Sequence, residues 1–130
     1  MIWYNIIVEF FHHLKFFSNI FNFWILWRVK NELPYQAATV HWHGILQSEN
    51  FWMDGAAFIS QCPILPYSTF VYSWTAENSG THWYHSHMSN QRLDGIFGAI
   101  IIEKPKDTEK SIPIVISGKH QSLSHHKISS

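Results

Sequence analysis

Two pairs of histidines, each pair separated by a single residue, are the part of this sequence best suited to chemistry. The pairs are His41 with His43 and His85 with His87. Each lies within or at the end of a run with β-strand character, where side chains two residues apart share a face, roughly 6.6 Å apart at the backbone. Four imidazoles that converge from two neighbouring strands can hold one metal ion or be shared by several.

Spacing alone leaves the identity of the metal open. Imidazole is a ligand for both copper and zinc. A zinc hydrolase would also need a carboxylate base beside the metal, and Asp54 and Asp94 are candidates. Each of these aspartates precedes a glycine and also fits an ordinary turn. Lone histidines more often pack or lie at the surface than bind metal, and four are left unassigned on that ground: His82, His120, His125 and His126.

Composition narrows the classes of function. The 130 residues suffice for one domain with a hydrophobic core but not for two. The formal net charge is zero and only 14% of residues are charged, so no basic surface for nucleic acid is expected. An apolar fraction of 46% argues against disorder. Ten histidines beside a single cysteine, Cys62, favour imidazole over thiolate as the metal ligand.

Short β-type runs separated by turn residues begin at Val29 and predict an all-β sandwich or barrel. The predicted strands span residues 39–46, 69–75, 81–87, 97–103 and 112–117. In the second run, three aromatic residues alternate with small or polar ones and should share the buried face: Phe70, Tyr72 and Trp74. The aromatic residues between the histidines should also pack inside: Trp42, Trp83 and Tyr84.

The two ends of the chain differ from its middle. Residues 1–28 lack the Gly, Pro and Asp residues that separate strands elsewhere in the chain. They fit a short helix, a hydrophobic leader or the product of an imperfect gene model, so they stay unassigned. The apolar stretch 16–27 is too short for a membrane span. It also fits a secretory signal poorly, because residues 1–11 contain Glu9 and no Lys or Arg, and no small-residue cleavage site follows Trp27. We therefore divide the chain into an apolar leader (1–28), one domain (29–118) and a mobile tail (119–130).

Six motifs around the histidine pairs resemble the first domain of the multicopper oxidases, the family of laccases, ascorbate oxidases and ferroxidases. They follow the family's order from about residue 29 to 105: Val-Lys-Asn-Glu-Leu, Thr-Val-His-Trp-His-Gly, Trp-Met-Asp-Gly, Gln-Cys-Pro-Ile, Gly-Thr-His-Trp-Tyr-His-Ser-His and Asp-Gly-Ile-Phe-Gly. The resemblance implies a cupredoxin-like Greek-key β-barrel or sandwich. It also implies copper as the metal, in a trinuclear cluster where dioxygen is reduced to water.

The same resemblance implies a role for each residue of the site. His41 would bind the type 2 copper. The type 3 copper pair would be bound by His43, His85 and His87. Asp54 would be the carboxylate near the cluster that orients water and relays protons to reduced oxygen.

The resemblance also implies partners. In the family, a later cupredoxin domain with a His-Cys-His segment supplies the other cluster ligands and the type 1 copper that accepts electrons. Neither that segment nor a His-x-x-His-x-His segment occurs here, so we expect a fragment that is inactive alone. Dioxygen and a reducing small molecule, such as a phenol, or a metal ion would be the substrates. Family analogy suggests an extracellular or secreted location. The alternative is a non-catalytic copper-binding cupredoxin-like module, alone or assembled with another chain.

Three departures from the family pattern are expected to matter. Cys62 resembles a structural position, disulfide-bonded to distant sequence in many relatives, rather than a blue-copper ligand. The family's opening strands before Val29 are expected to be missing. Tyr67 follows Pro66 where relatives usually carry glycine, so we expect this turn to differ.

Overall fold

The computed structural model describes residues 6–12, 23–103, 112 and 114–118. Within this part of the chain, a single short 3-10 turn at Phe51–Met53 accompanies six strands: Ile6–His12 (β1), Phe23–Asn31 (β2), Val40–His43 (β3), Thr69–Ala76 (β4), Gly80–Ser86 (β5) and Phe97–Ile102 (β6). No helix among the described residues is long and apolar enough to cross a bilayer.

The strands form two antiparallel three-stranded sheets, which confirms the predicted all-β class. One sheet has the order β1-β2-β4 and the other the order β3-β5-β6. The main hydrophobic cluster takes residues from both sheets, among them Val29 on β2, Trp42 on β3, Tyr72 on β4 and Ile100 on β6. The sheets therefore share one core, as expected for a sandwich.

Aromatic side chains fill the centre of this core. On β4, Tyr72 and Trp74 are fully buried while Val71, which precedes Tyr72, is exposed, so the predicted alternation is confirmed there. Trp42 is also fully buried, and its ring centroid lies 5.1 Å from that of Tyr72 and 5.8 Å from that of Trp74. Tilted and edge-on ring pairs at these distances contribute packing energy beyond the apolar area they bury.

Four of the five predicted strands occur, with shifted ends. The first is shorter than expected because the chain leaves β3 at Gly44, whose φ is +88°. The prediction for 112–117 is wrong, since the described residues 112 and 114–117 form no strand and Ile114 and Ile116 are largely exposed. Pro113 in that run cannot donate to a strand ladder.

The apolar segment before Val29 contains strands, so our expectation that opening strands are missing is wrong for the described residues. β1 pairs with β2 from Ile6 to His12, and β2 pairs with β4 from Phe23 onward. Residues rich in Phe, Ile and Trp favour strands when a partner is present. The boundary proposed at residue 28 falls inside β2, and the three-part division of the chain stays a prediction. The predicted tail, 119–130, lies outside the described residues.

A buried asparagine fastens the end of β2 to two loops. The side chain of Asn31 is fully buried. Its Nδ2 donates to the carbonyl oxygens of Gln36 at 2.8 Å and Ile64 at 2.9 Å, and its Oδ1 accepts from the N–H of Leu33 at 3.0 Å. Every polar atom of this amide is therefore paired, which is the condition for burying it at little cost.

The turn at Pro66 places a tyrosine in a left-handed conformation. Tyr67 has a φ of +61°, and the turn is closed by the N–H of Ser68 donating to the carbonyl of Leu65 at 3.0 Å. A proline followed by a positive φ is typical of a type II turn, which favours glycine at the second central position. A side chain there costs about 1–2 kcal/mol.

Replacing Tyr67 by glycine should therefore stabilise the chain. We expect Tyr67→Gly to raise the free energy of unfolding by about 1 kcal/mol, because relief of strain outweighs the greater entropy loss of glycine. The ring is 68% exposed, so little packing is lost. Urea unfolding measures the change. Tyr67→Ala keeps a Cβ and serves as the control without gain. A loss of stability in Tyr67→Gly would contradict the interpretation.

The buried phenol of Tyr72 should make stability fall at alkaline pH. Burial raises the pKa of Tyr72 to about 12, although a hydrogen bond from the Val40 backbone N–H opposes the shift. The stabilisation is complete below the unfolded value of 10.0 and is lost as the pH rises towards 12. Each pH unit in this window should remove about 1.4 kcal/mol.

Urea unfolding of the wild type and of Tyr72→Phe at several alkaline pH values checks this expectation. Phenylalanine leaves the Val40 N–H without this acceptor, so the variant should be less stable at neutral pH. Because phenylalanine cannot ionise, its alkaline decline should be shallower. Equal slopes for the two proteins would refute the assignment.

Candidate metal centre

The cross-strand register brings the two histidine pairs together. β3 and β5 are antiparallel neighbours in which His41 lies directly opposite His85, and His43 lies opposite Trp83. Because side chains alternate along a strand, Val40 and Trp42 enter the core while the histidines point to the other face of the sheet. The prediction that each pair shares one face is confirmed for His41 and His43.

Three of the four predicted histidines form a compact cluster. The potential ligand atoms of His41, His43 and His85 all lie within 4.8 Å of one another. The Nδ1 of His43 and the Nε2 of His85 are 3.3 Å apart. The ring centroid of His41 lies 5.5 Å from that of His43 and 5.3 Å from that of His85.

This donor set fits a transition-metal ion. Two ligand nitrogens each about 2 Å from a metal, separated by a tetrahedral angle, lie about 3.3 Å apart. The nitrogens of His43 and His85 have this separation, so a bound ion would replace their hydrogen bond with two metal bonds. Imidazole nitrogens suit copper and zinc, and both remain compatible with the geometry alone.

The ring of His41 is held by the loop that follows the 3-10 turn. Its Nδ1 lies 2.7 Å from the backbone carbonyl oxygen of Asp54 and 3.2 Å from Oδ1 of the same residue. A carbonyl oxygen only accepts hydrogen bonds, so Nδ1 carries the proton and the lone pair of Nε2 is left for a metal. Asp54 therefore lies beside the cluster, as the sequence predicted, and its main-chain carbonyl makes the shorter contact.

The contact between Asp54 and His41 depends on the glycine that follows Asp54. Gly55 has a φ of +83°, and a Cβ at this position would lie 1.8 Å from the carbonyl oxygen of Val40. The loop can approach β3 this closely only without a side chain. The sequence also fits a turn at Asp54 and Gly55. In the structure these two residues form the turn and also hold the ring of His41.

The neutral, metal-binding form of His85 is favoured by its surroundings. Burial lowers the pKa of His85, and electrostatic repulsion from His41 and Arg92 lowers it further, while a hydrogen bond to the Ser86 carbonyl opposes the shift. That bond joins Nδ1 of His85 to the carbonyl oxygen at 3.0 Å. As with His41, the proton on Nδ1 leaves Nε2 free to bind a metal.

His87 lies beside the cluster but outside its compact part. β5 ends at Ser86, and the exposed His87 ring lies 5.7 Å from that of His41 and 6.3 Å from that of His85 between centroids. Its backbone N–H donates to the carbonyl of Thr39 at 3.3 Å. A cavity of about 360 Å³ opens beside His85 and His87.

The other sequence candidates take ordinary positions. Asp94 is exposed in the turn that ends at Gly95, and its N–H donates to the carbonyl of Asn90 at 3.1 Å. It belongs to no metal-binding group among the described residues. Cys62 is an exposed free thiol in this part of the chain.

Trp83 lies on the histidine face, so the prediction that it packs inside is wrong. Its ring lies 4.9 Å from that of His43 and 4.3 Å from that of His85 between centroids, tilted by 32° and 36°. Trp42 and Tyr84 do belong to the core, as predicted. Strict two-residue alternation from His85 would have identified the position of Trp83.

Sequence reasoning gave no role to the residues that hold the loop after β5. Ser86 and Gln91 are buried and joined by a 2.6 Å hydrogen bond. Their side chains carry no recognisable spacing signal, because the partner lies in a loop rather than on a regular strand.

Known proteins with a similar sequence contain the same region. A family model described as multicopper oxidase matches residues 22–107. Laccase-5 of Trametes versicolor is 45% identical over 83 residues, which cover 63% of this chain and 16% of the relative. L-ascorbate oxidase of Cucurbita pepo var. melopepo is 46% identical over 76 residues, covering 58% and 14%. The chain thus spans about one sixth of the length of these relatives.

Several solved structures of multicopper oxidases are also similar to this chain. The laccase from Botrytis aclada is 41% identical with a TM-score of 0.61, and the match covers 63% of this chain and 15% of that one. The blue copper oxidase from Nitrosomonas europaea is 34% identical with a TM-score of 0.60, covering 65% and 27%. The cupredoxin-like fold expected from the sequence is confirmed by these matches. Since the family match spans two thirds of the 130 residues and includes both histidine pairs, this chain belongs to the multicopper oxidases, a copper-dependent family.

Proposed function

We propose that this chain is the copper-binding first domain of a multicopper oxidase that oxidises a reducing substrate and reduces dioxygen to water. The observation that carries the proposal is the convergence of His41, His43 and His85 within ligand distance on one sheet face. Bound copper would supply the single-electron transfers, four of which, with four protons, convert one dioxygen molecule into two water molecules. This chain would contribute half of the cluster ligands.

The individual histidines are proposed to divide between two types of copper. His41 would bind the type 2 copper through Nε2, and its separate support by Asp54 is consistent with that distinct role. The type 3 pair would be bound by His43, His85 and His87. The 3.3 Å approach of His43 to His85 supports grouping these two. His87 would join them from the end of β5, beside the cavity that a small molecule such as dioxygen could enter.

Asp54 is proposed to deliver protons. Its carboxylate is about one third exposed, with Oδ1 3.2 Å from the Nδ1 of His41. The side chain therefore touches both the solvent and the histidine cluster. A carboxyl group in such a position can take a proton from water and pass it inward to reduced oxygen. Its main-chain carbonyl would hold His41 throughout.

The remaining parts of the reaction would lie elsewhere in the protein. A later cupredoxin domain would provide the other cluster ligands and a type 1 copper that accepts electrons. The electron donor would be a reducing small molecule, such as the phenolic compounds implied by resemblance to laccases, or a metal ion. We expect the protein to be extracellular or secreted, by the same analogy.

Copper titration of the purified chain tests the metal site. The wild type should bind copper, with nitrogen hyperfine structure in its electron paramagnetic resonance spectrum and no intense blue absorption. His41→Ala and His85→Ala should each weaken binding by roughly 100-fold, equivalent to about 2.7 kcal/mol, since each removes a ligand.

His82→Asn is the matched control. His82 lies on β5 with His85 but belongs to no metal-binding group among the described residues. It should leave copper affinity unchanged. If it weakens binding as much as His41→Ala, the histidine face is not the site. Copper binding without turnover in any longer protein that contains the chain would favour the alternative of a non-catalytic copper-binding module.

Asp54→Asn separates binding from proton delivery. The substitution keeps the main-chain carbonyl that holds His41, so copper affinity should change by less than about threefold. In a full-length oxidase containing this domain, oxygen consumption should fall by roughly 100-fold or more, the usual contribution of a positioned acid or base. Oxygen electrode measurements over a range of pH check this expectation. Wild-type turnover in Asp54→Asn would rule out the proton role.

A further inference from the structure

One buried amide side chain is hydrogen-bonded to the hydroxyl of Ser86, the residue between His85 and His87. Gln91 is only 2% exposed. Its Oε1 accepts a 2.6 Å hydrogen bond from the Oγ of Ser86. Its Nε2 donates to the Oε1 of Gln36 at 3.2 Å and to the carbonyl oxygen of Ala37 at 2.9 Å. Both hydrogens of the amide nitrogen are therefore used, and the group is fully committed to these partners.

These bonds join three separate segments of the chain. Ser86 is the last residue of β5, Gln91 lies in the loop that returns to β6, and residues 36–37 belong to the connection between β2 and β3. The Oγ of Ser86 also accepts from the N–H of Met88 at 3.3 Å. The loop that begins at His87 is thus tied to the end of β5 and to the β2–β3 connection through one side chain.

The position of Ser86 affects both neighbouring histidines. Its carbonyl oxygen accepts the hydrogen bond that orients the His85 ring, and its peptide bond leads directly to His87. Its hydroxyl donates to Gln91, so rotation or displacement of Ser86 would move the support of one ring and the backbone of the next. The short, buried bond to Gln91 opposes such movement.

We propose that Gln91 is a positioning residue for the metal site, acting through Ser86 to hold His85 and His87 in the orientation that binds copper. The effect on copper binding rests on the proposed function. The effect of Gln91 on the positions of His85 and His87 does not require a bound metal. An apolar replacement leaves the Ser86 hydroxyl and the Ala37 carbonyl buried without this partner. A glutamate at 91 cannot donate to that carbonyl, so its oxygens would face another oxygen.

A second buried amide provides a matched control. Asn31 is fully buried and makes three hydrogen bonds, like Gln91, but its partners are Leu33, Gln36 and Ile64. Asn31→Leu removes a comparable network, which shares only Gln36 with that of Gln91, through its main-chain carbonyl, and does not include Ser86 or the histidines. General destabilisation of the fold should therefore be common to both variants, while a change at the histidines should be specific to Gln91.

The experiment compares wild type, Gln91→Leu, Gln91→Glu and Asn31→Leu in the full chain. In the metal-free proteins, NMR of the imidazole nitrogens should show shifted His85 and His87 resonances in both Gln91 variants and wild-type positions in Asn31→Leu. In copper titrations, the Gln91 variants should bind about 10- to 100-fold more weakly, as expected when the support of a metal ligand is removed. Asn31→Leu should bind within about threefold of wild type at temperatures where it is folded.

Wild-type resonances in folded Gln91→Leu, or equal losses of affinity in Asn31→Leu and Gln91→Leu, would overturn the proposal. If Gln91→Leu fails to fold, Ser86→Ala tests the proposal in its place. This variant removes only the hydroxyl that bonds Gln91, and it should shift the His85 and His87 resonances in the same way. Failure of the wild type to bind copper would contradict the proposed function instead, and the metal-free NMR comparison would still decide the role of Gln91.

Discussion

The pairing of His41 with His85 across β3 and β5 is the constraint on which the rest of the site depends. In an antiparallel ladder, one register determines every facing pair, so the same alignment that brings these rings together also places Trp42 opposite Tyr84 in the core. A slip of one residue would move both histidines of β3 into the core and Trp42 out of it. Burial of the apolar side chains and the proposed metal site therefore require the same alignment.

Support for the histidines comes mainly from the backbone. His41 and His85 each direct Nδ1 to a main-chain carbonyl, from Asp54 and Ser86 respectively. A carbonyl is present whatever the side chain, so the tautomer of each ring is tied to the course of the loop rather than to residue type. The loops themselves depend on local features, notably the absence of a Cβ at Gly55 and the buried amide of Gln91.

The features of this arrangement that follow the two-residue period of a β-strand can be predicted from the sequence. The alternation of β4 and the shared face of His41 and His43 follow from that period alone. The register between β3 and β5, the reach of the Asp54 carbonyl and the buried partner of Ser86 depend on contacts between distant segments, which no local pattern contains. Aromatic character alone predicts a core position for Trp83, whereas alternation from His85 places it on the histidine face. The strands before Val29 escape local sequence patterns because β2 pairs with β4, some forty or more residues further along the chain, and β1 pairs in turn with β2.

The histidine cluster lies on the outside of a sheet whose other side is the hydrophobic core, and none of the described members of that core is a histidine. The apolar cluster would therefore not need a metal in order to assemble, and the proposed ion would be acquired afterwards at a surface that already exists. In this respect the domain contrasts with a zinc finger, in which the metal takes the place of the core. On the proposed function, such a domain would be synthesised without copper and would receive this redox-active ion at a late stage of maturation.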